Sequence, residues 1–225
     1  MTDNFDQIPF GAAEFAENPE PRCPCLLLLD TSGSMRGNPI KELNEGIIIF
    51  KDELSADSLA AKRAEVSIIT FGPPTIECEF QTADSFQPPQ LQAKGDTPMG
   101  AAIEMALNKV QERKLAYRQA GIAYYRPWIF LITDGAPTDY WKSAAQKIKL
   151  GEESGAFSFF AVGVDGANMD ILQQIAVRQP LKLKNMRFRD LFVWLSKSMK
   201  NVSRSKPGDK LAIENPATPT GWATL

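Results

Sequence analysis

Apolar residues run along this chain in two rhythms that take turns. One is the short unbroken run, at 25–29 (CLLLL), 64–71 (AEVSIITF), 128–133 (WIFLIT) and 157–164 (FSFFAVGV). Runs of this length, bounded by turn formers and rich in β-branched or aromatic residues, predict strands buried on both faces. The other rhythm has helical spacing. Ile40, Leu43, Ile47, Phe50 and Leu54 recur through 39–54. Ile103, Ala106, Leu107 and Val110 do so through 98–117, and Phe188, Leu191, Phe192, Leu195 and Met199 through 187–202. The segments 139–154 and 169–178 predict two more helices. Asn38 before Pro39 reads as a cap followed by a first-turn proline, and Thr138 or Asp139 is expected to cap 139–154. The turn Gly72-Pro73-Pro74 leads into 75–81, a weakly alternating segment expected to return as an antiparallel edge strand. A short sixth strand is expected at 181–184.

Strands that alternate with helical segments imply right-handed crossovers and a parallel sheet. The predicted architecture is a doubly wound α/β fold: six strands, mostly parallel, with one antiparallel edge strand and helices on both faces. Residues 23–203 form that domain. Residues 1–22 are acidic and dotted with proline, and read as an N-terminal arm with a short pairing segment near 7–10. Residues 204–225 are rich in Pro, Gly and Thr, and read as a tail. That tail carries Leu211, Ile213 and Trp222, which are expected to anchor it partly on the domain, because a tryptophan buries on the order of 150–250 Å².

Composition narrows the function. With 25 basic and 27 acidic residues the chain has no cationic excess of the kind that nucleic-acid binding demands. The apolar runs are too short to span a bilayer. The start MTDNFDQIPF has no basic n-region, so a cytoplasmic location is expected. There is no histidine, which removes the commonest metal ligand and the usual proton shuttle near neutral pH. The three cysteines, Cys23, Cys25 and Cys78, are expected to be reduced thiols without zinc.

Chemistry gathers at the ends of the buried runs. The first ends in LLLLDTSGSM, which puts Asp30 at the strand end and Ser32 and Ser34 in the loop beyond. In open parallel sheets the ligand crevice lies at the carboxyl ends of the strands. Thr97 stands in KGDTPMGAA just before a helix, and Asp134 in FLITDGAPTD at the end of another buried run. Each motif alone is ordinary turn or helix-start chemistry. Together they bring two carboxylates and three hydroxyls to one expected crevice. Such an all-oxygen set suits a hard divalent cation.

Asp30-x-Ser32-x-Ser34, Thr97 and Asp134 together resemble the metal-ion-dependent adhesion site of von Willebrand factor A domains, over roughly residues 24–203. The details (DTSGSM, GDTPMG, ITDGAPTD, FFAVGVDGANM) are most similar to bacterial TerY-like proteins of tellurium-resistance clusters. The resemblance implies strand order 3-2-1-4-5-6. It also implies a bound Mg²⁺, with Mn²⁺ or Ca²⁺ as alternatives, and no catalytic residues. The partner it implies is a protein that offers an acidic group to the ion, of a kinase-like, phosphatase-like or other tellurium-resistance type in a stress response. Arg36, Tyr140, Trp141 and Asp165 are expected on the rim of the site. Tyr124, Tyr125 and Arg126 precede their strand and are expected at the opposite end.

Two other functions compete. A phosphohydrolase or phosphotransferase could use Asp30 as nucleophile, but the general-acid position two residues on is Ser32. A scaffold with a vestigial site would leave the ion unbound. No dinucleotide fingerprint or P-loop occurs.

Overall fold

The computed structural model describes residues 15–209, 214–218 and 221–224. Strand β1 (Cys23–Asp30) is buried along its whole length. It lies between β2 (Ala64–Phe71) and β4 (Trp128–Thr133), parallel to both. Strand β5 (Ser158–Gly163) pairs parallel to β4, and the short β6 (Leu181–Leu183) parallel to β5. Strand β3 (Pro74–Thr82) returns antiparallel to β2 at one edge. The described residues form a seven-stranded sheet in the order 3-2-1-4-5-6-7, one strand more than the predicted six. The extra strand, β7 (Ala223–Thr224), comes from the tail and runs antiparallel to β6. Nothing in its two residues announced it, because a neighbouring strand edge and not local propensity makes it a strand.

Helices cover both faces. On one lie α1 (Asn38–Ser55), α2 (Ser58–Arg63) and α6 (Phe188–Ser203). On the other lie α3 (Met99–Gln119), α4 (Lys142–Glu153) and α5 (Met169–Ile175). Alternate residues of β1 divide between the two layers: Leu27 and Leu29 pack under α1 and α6, and Leu26 and Leu28 under α3 and α4. Helix α1 meets α6 at Gly46, where a Cβ would stand 2.4 Å from Phe192 Cδ2.

Several expected details differ. The cap of α1 is Gly37, and Asn38 makes no capping hydrogen bond. Helix α2 was not foreseen; Asp57 starts it by accepting the Leu59 and Ala60 amides. Helix α4 begins at Lys142, not at 139, and no side chain caps it. The expected pairing segment near residue 10 and the anchors Leu211 and Ile213 lie outside the described residues.

The amino-terminal pole of the strands is held by charge. Glu65 is buried and accepts from Arg22 Nε at 2.8 Å, Arg113 Nε and Nη2 at 2.8 Å each, and the Tyr117 hydroxyl. Arg63 joins the incoming chain to the end of α6, through Glu20 at 2.6 Å and the Ser203 carbonyl at 2.7 Å. Tyr124 and Tyr125 belong to this pole: Tyr124 bridges to Arg22, and the Tyr125 hydroxyl donates to the Ser205 carbonyl at 2.5 Å. Arg126 donates to the Phe157 carbonyl just before β5.

At the far edge Trp222 is 3% exposed and meets Trp194 edge to face at 5.5 Å. Its carbonyl accepts from Lys184 N at 2.9 Å. Trp222→Ala should therefore cost about 3–5 kcal/mol by the cavity it leaves. Urea unfolding checks this, and an unchanged midpoint would show that the tail contributes nothing. The three cysteines are free and buried. Burial pushes the Cys23 thiol up to about 12 and Cys78 up to about 11, with a smaller push from nearby Glu65 and Glu79 respectively, and raises Cys25 as well. Since the thiolate is the reacting form, a thiol reagent at pH 8 should label none of them until the protein is unfolded. Rapid labelling of the native protein would contradict this.

Candidate functional site

The carboxyl ends of β1 and β4 lie side by side, and three loops leave from or pass over them. The first follows Asp30. The Ser32 amide turns back to Asp30 Oδ1 at 2.8 Å, an Asx-type turn that holds the carboxylate at the strand end. A single 3₁₀ turn, Gly33–Met35, follows, and Met35 is buried in the α1/α6 layer. Ser34 beside it is exposed. The apolar anchor thus fixes a loop whose hydroxyls face the crevice.

The second loop brings Thr97. It belongs to a long connection, residues 83–98, that has no regular structure of its own. Phe86 and Leu91 are buried, and Leu91 exchanges two backbone-to-side-chain hydrogen bonds with Asn44 of α1, at 2.9 and 3.0 Å. Its end is pinned to the first loop, Lys94 N to the Thr31 carbonyl at 2.6 Å and Gly33 N to the Gly95 carbonyl at 3.0 Å. Gly95 has φ +74°, and a Cβ there would stand 1.7 Å from the Gly72 carbonyl oxygen. Only glycine permits this approach.

The third loop follows β4. Thr138 N donates to the Thr97 carbonyl at 2.9 Å, which ties the third loop to the second. Gly166, after β5, packs against the Asp134 carbonyl, where its Cβ would stand 2.9 Å away.

The five expected oxygen-bearing residues meet here. Asp30, Ser32, Thr97 and Asp134 are 0%, 1%, 7% and 8% exposed. The Ser34 hydroxyl donates to Asp134 Oδ1 at 2.7 Å across 100 residues of sequence, and the Ser32 and Ser34 hydroxyls are 2.9 Å apart. A Cβ placed on Gly135 would lie 3.6 Å from Thr97 Oγ1 and 3.9 Å from Asp30 Oδ2. The missing side chain leaves a small cradle between them. Among the described residues no cluster of three or more His, Cys, Asp or Glu is placed to hold a metal. This set has two carboxylates and three hydroxyls, a composition for a hard cation.

One member of the site is absent from the sequence reading. Thr133, the last residue of β4, donates its hydroxyl to Asp30 Oδ2 at 2.5 Å and accepts the Gly135 amide at 3.1 Å. A hydroxyl closing an otherwise apolar strand beside the crevice was the available signal. Asp139, expected to cap α4, instead accepts the Gly100 and Ala101 amides at the start of α3. Of the residues expected on the rim, Arg36 and Asp165 are exposed, and Tyr140 is 73% exposed. Trp141 is half-buried and packs into the α3/α4 layer.

The fold is a doubly wound α/β sheet with an oxygen-rich crevice at the carboxyl ends of its central strands. The chain belongs to the von Willebrand factor type A domain family, whose model matches residues 26–191. Solved structures agree in fold. The pilus adhesin SpaC of Lactobacillus rhamnosus GG, in its open conformation, aligns over 82% of this chain and 31% of its own, with TM-score 0.65 and 14% identity. Proximal thread matrix protein 1 of the mussel byssus aligns over 81% and 49%, with TM-score 0.55 and 15% identity. The manganese-loaded TRAP protein of Plasmodium vivax aligns over 76% and 73%, with TM-score 0.51 and 18% identity. The chain spans about a third to a half of the length of the first two. No curated protein matches it significantly.

Burial raises the Asp30 carboxyl above its ordinary range. Hydrogen bonds from Ser32 and Thr133 oppose that push, and the Asp134 charge adds to it. A raised native pKa means the fold favours the protonated form. Stability from this group is complete below the unfolded value near 4 and is lost as pH rises through the native value. In EDTA, Asp30→Asn should therefore melt higher than wild type at pH 7, with the advantage vanishing toward pH 4. Thermal scans across that range decide it, and a lower melting temperature for the variant at pH 7 would refute it.

Proposed function

We propose that this chain is a metal-dependent protein-interaction domain. The Ser34–Asp134 hydrogen bond carries the reading, because it joins the first and third loops through side chains that have no apolar reason to meet. Asp30, Ser32, Ser34, Thr97 and Asp134 would hold one divalent cation, Mg²⁺ before Mn²⁺ or Ca²⁺. Adjacent ligands of an octahedral ion with bonds of roughly 2.0–2.1 Å lie about 3 Å apart. The Ser32–Ser34 and Ser34–Asp134 spacings, 2.9 and 2.7 Å, are of that size. The bound ion would supply an electrophilic point for an acidic group of a partner protein. The chain's residues do the remainder: hydroxyls keep the ligand set weakly charged, and Thr133 and the Ser32 amide orient Asp30.

Arg36, Tyr140, Trp141 and Asp165 would line the contact. An exposed aromatic between two anchored neighbours suits a binding hot spot. The similarity of the motifs to TerY-like proteins supports a cytoplasmic stress-response role, with kinase-like, phosphatase-like or other tellurium-resistance proteins as partners. The solved structures named above include an adhesin and a matrix protein, in keeping with an interaction role. A nucleophilic Asp30 is disfavoured, since its side chain is buried and both its oxygens accept hydrogen bonds.

Calorimetric titration with Mg²⁺ and Mn²⁺ tests the reading. Wild type should bind one ion, Asp30→Asn none, and Thr97→Ala at least tenfold more weakly. A Ser32→Ala/Ser34→Ala double variant that binds as well as wild type would overturn the assignment, and no binding by wild type would favour a vestigial scaffold.

A further inference from the structure

We infer that Asp139 is a positioning residue that frees the Thr97 hydroxyl for the cation, an inference that rests on the metal reading above. A threonine just ahead of a helix ordinarily caps it, its hydroxyl accepting an amide two or three residues on. In Thr97-Pro98-Met99-Gly100, that amide would be Gly100 N. Here no side chain from the adjoining segment caps α3, and the position next to the helix is Pro98, which has no acceptor side chain. The orphan amides are taken from another part of the chain. Asp139 Oδ1 accepts Gly100 N at 2.9 Å, and Oδ2 accepts Ala101 N at 2.8 Å.

The contact is clamped on both sides. Ahead of Asp139, Thr138 N holds the Thr97 carbonyl at 2.9 Å. Behind it, a Cβ on Gly100 would stand 2.6 Å from the Tyr140 carbonyl oxygen and 2.9 Å from Trp141 Cα, so glycine alone lets the segments meet. Trp141 is then held in the α3/α4 layer. With its helix already capped, Thr97 stands beside the cradle, its Oγ1 3.6 Å and its Cγ2 3.9 Å from where a Cβ on Gly135 would lie. Without the Asp139 carboxylate, Gly100 N–H loses its acceptor, and the Thr97 hydroxyl three residues back becomes the local side chain that could take it. Thr97 is then drawn back to its own helix and away from the ion.

Asp57 provides a control. It caps α2 by accepting Leu59 N and Ala60 N on Oδ1, while its Oδ2 pairs with Arg204, and it stands at the opposite pole. Asp139→Ala and Asp57→Ala should both lower the melting temperature in EDTA. Only Asp139→Ala should weaken Mn²⁺ binding, by about tenfold or more, the usual effect of losing a residue that orients a ligand. In the metal-free protein, NMR scalar couplings should show the Thr97 χ1 rotamer changed by Asp139→Ala and unchanged by Asp57→Ala. Mn²⁺ affinity within twofold of wild type for Asp139→Ala overturns the proposal. A weakened affinity with Thr97 χ1 unchanged also overturns it, because Asp139 would then act through its charge. Absence of Mn²⁺ binding by wild type would bring down the metal reading and this proposal with it, an outcome distinct from either of those.

Discussion

A carboxylate buried at the end of a central strand is the constraint on which this structure turns. Asp30 has no exposed surface, and an ionised group so placed must find its hydrogen bonds within the protein. It finds them from the Ser32 amide, which forces a tight turn after β1, and from the Thr133 hydroxyl, which requires β4 to end level with β1. The register between these strands supplies that, with Leu29 opposite Ile132. The first loop, the third loop and the central pair of strands are thus parts of one solution to one electrostatic problem. Burial still raises the Asp30 carboxyl, so that solution is incomplete.

The two poles of the sheet answer different demands. At the amino-terminal pole Glu65 gathers Arg22, Arg113 and Tyr117 into a satisfied network, and Arg63 ties the incoming chain to the end of α6. At the carboxyl pole the contacts that hold the loops are largely backbone to backbone, with glycines where chains cross. Those contacts fix the loops while leaving hydroxyls and carboxylates turned inward. Ion pairs gather where the chain is anchored, and hydroxyls and carboxylates at the carboxyl ends of the central strands.

The edges of the sheet also differ. Strand β3 ends one side with Glu77 and Glu79 among its exposed residues, charges that discourage pairing with another chain. The other side would end at the three residues of β6 but for the tail. There β7 and Trp222 cover it, with the Trp222 indole N–H buried and without a partner among the described residues. Aromatic burial against Trp194 offsets that unmet donor.

The sequence by itself determined the layered fold and the chemical character of the site. Unbroken apolar runs such as LLLL and WIFLIT, short and bounded by turn formers, read as strands buried on both faces, and helical stripes between them require crossovers. Asp30, Ser32, Ser34, Thr97 and Asp134 were legible because each sits at the end of such an element, where the element boundary and not the fold fixes its place. What lay beyond reach depended on contacts between distant segments. Thr133 looked like the last residue of a strand, and only the level ends of β1 and β4 make it a partner of Asp30. Asp139 looked like a local cap, but a carboxylate goes to the nearest unpaired amides, and those belonged to a helix about forty residues earlier. The two residues of β7 have no strand character of their own. An edge left open by β6 made them a strand, and only the tertiary structure could decide that.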